Sequence, residues 1–364
     1  MKARTSLLIA LVLLLAITSA CSAGGGKNAG KASGEKKEET RTASPEKAAS
    51  PAEEKNKIPE GKLTVYIGFQ EDHAVAAIKK FTEETGIPAE MIRMSAGEIL
   101  AKVRAEKDNP QADVWYGVAA MGENLLAPYK SPVADVIDPK FKDPDGYWTG
   151  VYVGAIGFAS NKEFLAKQQL EPPSKWEDLL NPKLKGQIVM ANPASSGTAY
   201  TALYTVLDVM GGEEPGFEFL KKLHPQIQQY TTSGSAPGRM VGMGEAGVGI
   251  LFAHDIIKYQ QEGYDSLIMT IPSDGTGYET GAVAIINNSK NYELAKYFID
   301  WALGVSAQEL GQTVGSYQNL TNPNAKQPEL ALKMSEINLI NYDAVAAGEA
   351  RQRLLDRWNN EVYK

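Results

Sequence analysis

The sequence predicts an α/β fold in two lobes, each a mostly parallel sheet flanked by helices, the two joined by crossing strands. Three observations carry this. From Lys62 onward, three short apolar runs alternate with helical stripes, the pattern of a parallel sheet with right-handed crossovers. About 300 residues follow Pro59, more than a single hydrophobic core usually spans. Two long glycine-rich runs, Gly150–Asn161 and Met269–Asn291, read as passages from one lobe to the other.

Residues 1–21 stand outside this fold. Lys2 and Arg4 precede an apolar run from Leu7 to Ile17. That run is too short to span a bilayer and reads as an export signal peptide. The ending Ile17-Thr18-Ser19-Ala20-Cys21 resembles the bacterial lipobox, which implies cleavage before Cys21 and a lipid on it. Thr18 departs from that pattern, where an aliphatic residue is usual. Cys21 is the single cysteine, so the exported chain has no internal disulfide, thiol nucleophile or cysteine metal site. Residues 22–58 are Gly, Ala, Ser, Lys and Glu with almost nothing apolar. They bury too little to offset their ordering entropy and are expected to form a disordered tether.

The body opens with KLTVYIGFQ (Lys62–Gln70), a β-branched and aromatic strand reaching Gly68. Val75, Ala76, Ile78 and Phe81 form a helical stripe over His73–Thr85, closed by Gly86. AEMIRMS is a second strand ending at Ser95, which lies three residues before Glu98. That is a capping-box spacing, and the pair either caps the next helix or also faces a ligand. ADVWYGV (Ala112–Val118) is a third strand, ending in Tyr116-Gly117, with its helix following from Met121. All three strands end in glycine or small polar residues on one face.

After the first passage, KWEDLL predicts a Trp-anchored helix and KGQIVMANP a strand. Ser195–Gly212 predicts a helix whose first turn is Ser-Ser-Gly-Thr. Unpaired N–H groups and the positive dipole end make such a turn either a plain cap or an anion site. There Ser196 and Thr198 add hydroxyls, and Gly197 permits close approach. Ser233–Asp255 reads as loop, helix, strand, loop: Ser233-Gly234-Ser235, a helix from Pro237, the strand VGILFA, then His254-Asp255. Ligands of open α/β sheets collect beyond the carboxyl ends of the strands, where this pair would sit. Tyr278 and Glu279 flank the return passage, YELAKYFIDWALGVSAQELGQ predicts an amphipathic helix pair, and the tail from Pro328 reads as helical.

The whole chain carries −7. Residues 1–58 hold ten Lys/Arg and six Asp/Glu, which leaves −11 on the body. An acidic body is a poor partner for nucleic acid or an anionic membrane surface. A bound anion would be gripped by local N–H and O–H donors, and the two serine-rich turns offer these without a lysine. The three histidines, His73, His224 and His254, fall in no GxSxG or HExxH pattern. An adjacent His-Asp pair does not easily orient itself as a hydrolytic triad requires, which leaves a hydrolase as the remoter alternative. The expectation is therefore a non-enzyme with no catalytic residue, no cofactor and no metal ligand set, acting as a monomer.

The order of RMSAGEILAKV, ADVWYG, KWEDLLNPKLKG, SSGTAYTAL, TSGSAPGRMVGMGEAGVGI and GAVAIINNSKN, from Lys62 to about Asn324, resembles the bacterial extracellular solute-binding proteins of ABC importers. The likeness is to the branch holding ferric-ion, 2-aminoethylphosphonate and sugar-phosphate binders. It implies a type II periplasmic-binding fold, a cleft that closes by a hinge, and a membrane permease as partner. Expected boundaries are a first lobe at 59–152, a second at 153–279, and a return to the first at 280–364 with the C-terminal helices. In the iron binders two adjacent tyrosines follow the strand matching VGILFA, and this chain has His254-Asp255 there. In the sugar-phosphate binders a His-Asp pair and a later Glu hold sugar hydroxyls, while helix N-termini hold the phosphate. That resemblance assigns His254, Asp255 and Glu279 to the polar body of an anionic solute. It assigns Ser196, Gly197, Thr198, Ser233, Gly234 and Ser235 to phosphoryl oxygens, with Ser95, Glu98 and Gly117 completing the cleft. Ferric ion held by carboxylates and an anion is the alternative, and thiamine or a polyamine lie further off.

Overall fold

A computed structural model describes residues 58–118 and 124–364. The export signal, Cys21 and nearly all of the tether lie outside the described residues, as do residues 119–123; the helix expected from Met121 does not follow, since Leu126–Ala127 form a short strand paired with Ile285 and Ile286.

In chain order the first lobe begins with β1 (Leu63–Ile67), α1 (Glu71–Thr85), β2 (Ala89–Arg93), α2 (Ala96–Ala105), β3 (Val114–Val118) and β4 (Leu126–Ala127). The crossing strand β5 (Thr149–Asn161) leads into α3 (Lys162–Gln168), β6 (Ile188–Ala191), α4 (Gly197–Val209), α5 (Glu213–Leu223) and β7 (Ile227–Thr231). Then come α6 (Ala236–Gly242), β8 (Val248–Phe252), α7 (Ala253–Gln261) and β9 (Leu267–Thr270). The return strand β10 (Tyr278–Ile286) is followed by α8 (Tyr292–Leu303), α9 (Val305–Gln308), α10 (Leu310–Thr313), β11 (Asn319–Leu320) and α11 (Ala344–Glu361).

The strands run in the order β2-β1-β3-β10-β5-β8-β6-β7. Within each lobe the neighbours are parallel: β1 with β2 and β3, and β6 with β7 and β8. The crossing strands are antiparallel to what they touch. Residues Thr149–Ala155 of β5 pair with β10, whereas Ile156–Ser160 pair with β8. One strand therefore belongs to both lobes, as its unbroken apolar and glycine content requires of a strand covered on both faces. All of its residues are buried.

Each lobe buries both faces of its sheet. In the first, alternate residues Leu63, Val65 and Ile67 meet Phe81 of α1 and Phe298 of α8, while Tyr66 joins Ile99 and Val103 of α2 on the other side. This is the period-2 alternation of a strand between two helical layers. In the second, Phe158 and Ile250 pack with Leu203 and Phe217, and Ala159, Val189 and Leu251 with Val241 and Ile256. The last helix contributes Leu354, Leu355 and Trp358 to that same second-lobe core.

Three local expectations are corrected. Trp176–Leu180 is a short 3₁₀ helix anchored by buried Trp176 and not an α-helix: Pro182 holds Asn181 out of the helical region and stops propagation. Of the tail from Pro328, only α11 is regular helix beyond a single 3₁₀ turn at Met334–Glu336. The helix pair after Tyr292 is α8 followed by two four-residue turns, broken where Gly304 is extended.

Candidate functional site

The carboxyl ends of the strands converge on one cavity between the lobes. From the first lobe β1 delivers Gly68, Phe69 and Gln70, β2 delivers Arg93 and Ser95, and β3 delivers Gly117. From the second, the turn after β6 gives Ser196, Gly197 and Thr198, the turn after β7 gives Ser233, Gly234 and Ser235, and β8 leads to His254 and Asp255. The crossing strands add Tyr152 and Glu279, α7 adds Lys258, and the segment after α10 adds Ser316 and Gln318. The cavity encloses ≈ 70 Å³, several times the ~15 Å³ that one water needs.

The first-lobe floor rests on two glycines. Gly117 has φ 88°, a conformation that glycine adopts at no steric cost. A Cβ on Gly68 would sit 2.8 Å from the Gly117 carbonyl oxygen. Their closeness lets the Gly68 N–H donate to the Tyr116 carbonyl at 2.8 Å.

The two donor turns touch one another. Ser196 caps α4, its hydroxyl accepting from the Ala199 N–H at 3.3 Å. A Cβ on Gly234 would lie 2.2 Å from Thr198 Oγ1 and 2.8 Å from Ser196 Oγ. Only a glycine lets the second turn lie on the hydroxyls of the first. Ser233 and Ser235 hydroxyls are 3.3 Å apart. The thirteen residues of α4 give it a full helix dipole at this turn. The seven-residue α6 contributes far less, so the Ser233–Ser235 turn offers hydroxyls and N–H groups more than a dipole.

His254 and Asp255 lie in the first turn of α7 rather than in a loop, because the helix starts at Ala253 directly after extended Phe252. The His254 ring stacks on Phe252 at 5.2 Å and meets Tyr152 edge-on at 5.9 Å. A Cβ on Gly154 would come within 2.6 Å of that ring, so the crossing strand makes room for it by lacking a side chain. Burial holds His254 below the ordinary imidazole value, and the Asp255 charge opposes this. Its Nε2 is 3.8 Å from Asp255 Oδ1, beyond hydrogen-bond reach. Asp255 instead accepts from Gln70 Nε2 of the first lobe.

Tyr152 Oη donates to Glu279 Oε1 at 2.7 Å. Burial pushes the Glu279 carboxyl up to about 7; the Tyr152 hydrogen bond works against this and the Asp255 charge adds to it. Behind the cavity, burial and then the Lys258 and His254 charges bring His73 down to about 4.

The lobes are held against each other around this cavity. Gly97 N–H donates to Ser195 O at 3.1 Å. Ser95 Oγ lies 3.4 Å from Thr232 O. Lys258 Nζ is 3.1 Å from Asp72 Oδ2.

The structure thus gathers eleven of the twelve expected residues: Ser95, Gly117, Ser196, Gly197, Thr198, Ser233, Gly234, Ser235, His254, Asp255 and Glu279. Glu98 is the exception. It is exposed, and its carboxylate accepts from the Ser95 N–H at 2.9 Å. The capping box accounts for it completely. Gln70, Arg93, Tyr152, Lys258, Ser316 and Gln318 were not expected. Arg93 and Lys258 bring cations to the cavity from β2 and α7, outside the two serine-rich turns. Arg93 has a legible signal, as the last residue of a strand whose neighbours all end at the cleft. Lys258 reads from sequence as a surface pair with Glu262, which it also makes at 3.4 Å.

Residues 113–344 match the family model described as bacterial extracellular solute-binding protein. An uncharacterized protein of Haemophilus influenzae is 41% identical over 316 residues, 83% of this chain and 91% of that one. AfuA of Actinobacillus pleuropneumoniae, solved with exogenous fructose-6-phosphate bound, aligns with a TM-score of 0.79 at 40% identity, covering 84% of this chain and 99% of that one. The periplasmic binding protein P5PA aligns with a TM-score of 0.79 at 35% identity, covering 83% and 100%. The family match over residues 113–344 and the 41% identity over 83% of the chain show that this chain belongs to the bacterial extracellular solute-binding proteins.

Proposed function

We propose that the protein captures a small organophosphate, a sugar phosphate or an aminoalkyl phosphonate, and hands it to the permease of an ABC importer. In this reading the chain is exported, anchored through a lipid on Cys21, and works as a monomer outside the cytoplasm. The observation that carries the ligand class is the contact between the Ser196–Thr198 and Ser233–Ser235 turns on the wall of one cavity. Phosphoryl oxygens are acceptors only, and these turns supply hydroxyl and N–H donors at a helix start. Hydrogen bonds to a charged group contribute about 1.5–3 kcal/mol each. Four or more at the upper end, about 12 kcal/mol, less the smallest association cost of about 4 kcal/mol, leave roughly −8 kcal/mol, which is micromolar binding.

Asp255, His254 and Glu279 face the remainder of the solute, where hydroxyls or an ammonium can donate to carboxylate oxygens. A relative of 40% identity holding fructose-6-phosphate supports the same class. The donor set favours this over ferric ion. Tyr152 is the single tyrosine among the described cavity residues, and burial keeps its phenol protonated. Tyr200 spends its hydroxyl on the Ala347 carbonyl. Binding without turnover is the consistent role, since His254 and Asp255 are too far apart to act as a base and its orienter.

A thermal-shift screen over hexose phosphates, alkyl phosphonates, thiamine and ferric citrate tests the reading, because a ligand of the folded state alone raises the melting point. A rise with phosphate esters or phosphonates is expected. A rise with ferric citrate alone, with a coloured phenolate-to-iron band, would replace organophosphate by iron.

A further inference from the structure

We propose that Arg93 is the residue that selects the phosphoryl group, clamping two of its oxygens with its guanidinium from the cavity wall. The proposal rests on the organophosphate reading of that cleft.

Arg93 ends β2 and lines the cavity. Its Nε donates to the Phe69 carbonyl at 2.9 Å. That bond orients the guanidinium, and among the described residues neither Nη group has a hydrogen-bond partner. Every other charged side chain of the cavity has a partner. Lys258 pairs with Asp72 and Glu262, Asp255 accepts from Gln70, and Glu279 accepts from Tyr152. Among the described residues, Arg93 has no carboxylate within ion-pair distance. A half-buried cation without a counterion is a standing cost unless an anion arrives.

The geometry also fits the chemistry of the anion. A guanidinium presents parallel N–H donors that match two oxygens of a phosphoryl group, which an ammonium cannot. Ser95, two residues on, reaches the Thr232 carbonyl next to Ser233. Arg93 therefore enters from the lobe opposite to the two serine turns, and an anion between them is gripped from both sides. A dianion has reason to need this, because Asp255 stands in the same cavity.

The test measures binding of glucose 6-phosphate, 2-aminoethylphosphonate, inorganic phosphate and unphosphorylated glucose by calorimetry, to the full exported chain and to the variants Arg93→Ala and Arg93→Lys. For each phosphoryl compound that the unaltered protein binds, Arg93→Ala should lose about 10- to 100-fold in affinity. Arg93→Lys should recover only part of this, and any weak affinity for glucose should not move. Ligand-free melting points, compared in parallel, report loss of the Phe69 bond separately. Equal affinity of Arg93→Ala and unaltered protein overturns the assignment of Arg93 alone. Full recovery by Arg93→Lys replaces the fork by a simple charge and overturns it too. If the unaltered protein binds none of the phosphoryl compounds, the organophosphate reading itself fails, and the Arg93 proposal with it.

Discussion

Lys258 of α7 and Asp72 of α1 meet at 3.1 Å, one from each lobe, beside the cavity. The lysine side chain is 8% exposed and the aspartate 72%, so the pair is screened on one side. Exposed pairs contribute about 0.2–1 kcal/mol. Asp72→Ala should therefore weaken solute binding by roughly two- to fivefold and enlarge the ligand-free radius of gyration in small-angle scattering. An unchanged radius and affinity would show that the pair does not hold the lobes together.

Gly97 makes the same point sterically. A Cβ there would lie 2.4 Å from Ala194 O and 2.7 Å from the Ser195 carbonyl carbon, both backbone atoms of the opposite lobe. Gly97 is the second residue of α2, where alanine is no worse a helix former than glycine. Gly97→Ala should keep or raise the melting point of the empty protein while abolishing tight binding. A variant that binds normally would mean the lobes never approach this closely in solution.

Asp255 is buried, and its described hydrogen bond is to Gln70 of the other lobe. Asp255→Ala removes both that link and the proposed partner of a solute hydroxyl or ammonium. Affinity should fall at least tenfold, with a circular-dichroism spectrum identical to that of the unaltered protein. Retained affinity would move the polar end of the solute elsewhere in the cavity.

Glu279 gives the protein an unusual pH response. Its folded value of about 7 lies above the ordinary 4.5, so folding favours the protonated acid. That contribution is complete below about pH 4.5 and is lost as the pH rises through about 7, at most about 3 kcal/mol. His73 runs the opposite way: its folded value of about 4 lies below 6.5, so its contribution is present above pH 6.5 and lost on acidification. The difference between unaltered protein and Glu279→Gln separates the two. Between pH 5 and 8 the denaturation midpoint of Glu279→Gln should fall less than that of the unaltered protein. Parallel curves would place the Glu279 titration outside this window.

The parts of the site that were legible are those written at strand ends. Ser196–Thr198 and Ser233–Ser235 combine a strand, a turn of small residues and a helix start, Gly117 stands at a strand end, and each element has its own sequence signal. Glu98 carried the same kind of signal but had a complete local use as a cap. Tyr152, Gln70 and Ser316 were not legible, because they reach the cavity through the crossing strand, an N-cap and an irregular segment, and no spacing connects such positions to a cleft. Lys258 was hidden by its helical pair with Glu262. The glycines were legible as glycines only: that Gly154 seats His254 and Gly281 seats the Tyr152 ring depends on register across β5, β8 and β10.

Tyr152 and Glu279 project from β5 and β10, the very strands that pass between the lobes. β10 shifts register against β5 between Gly281 and Ala282, two residues beyond Glu279. Whatever occupies the cavity thus touches the joining strands as well as the two lobes.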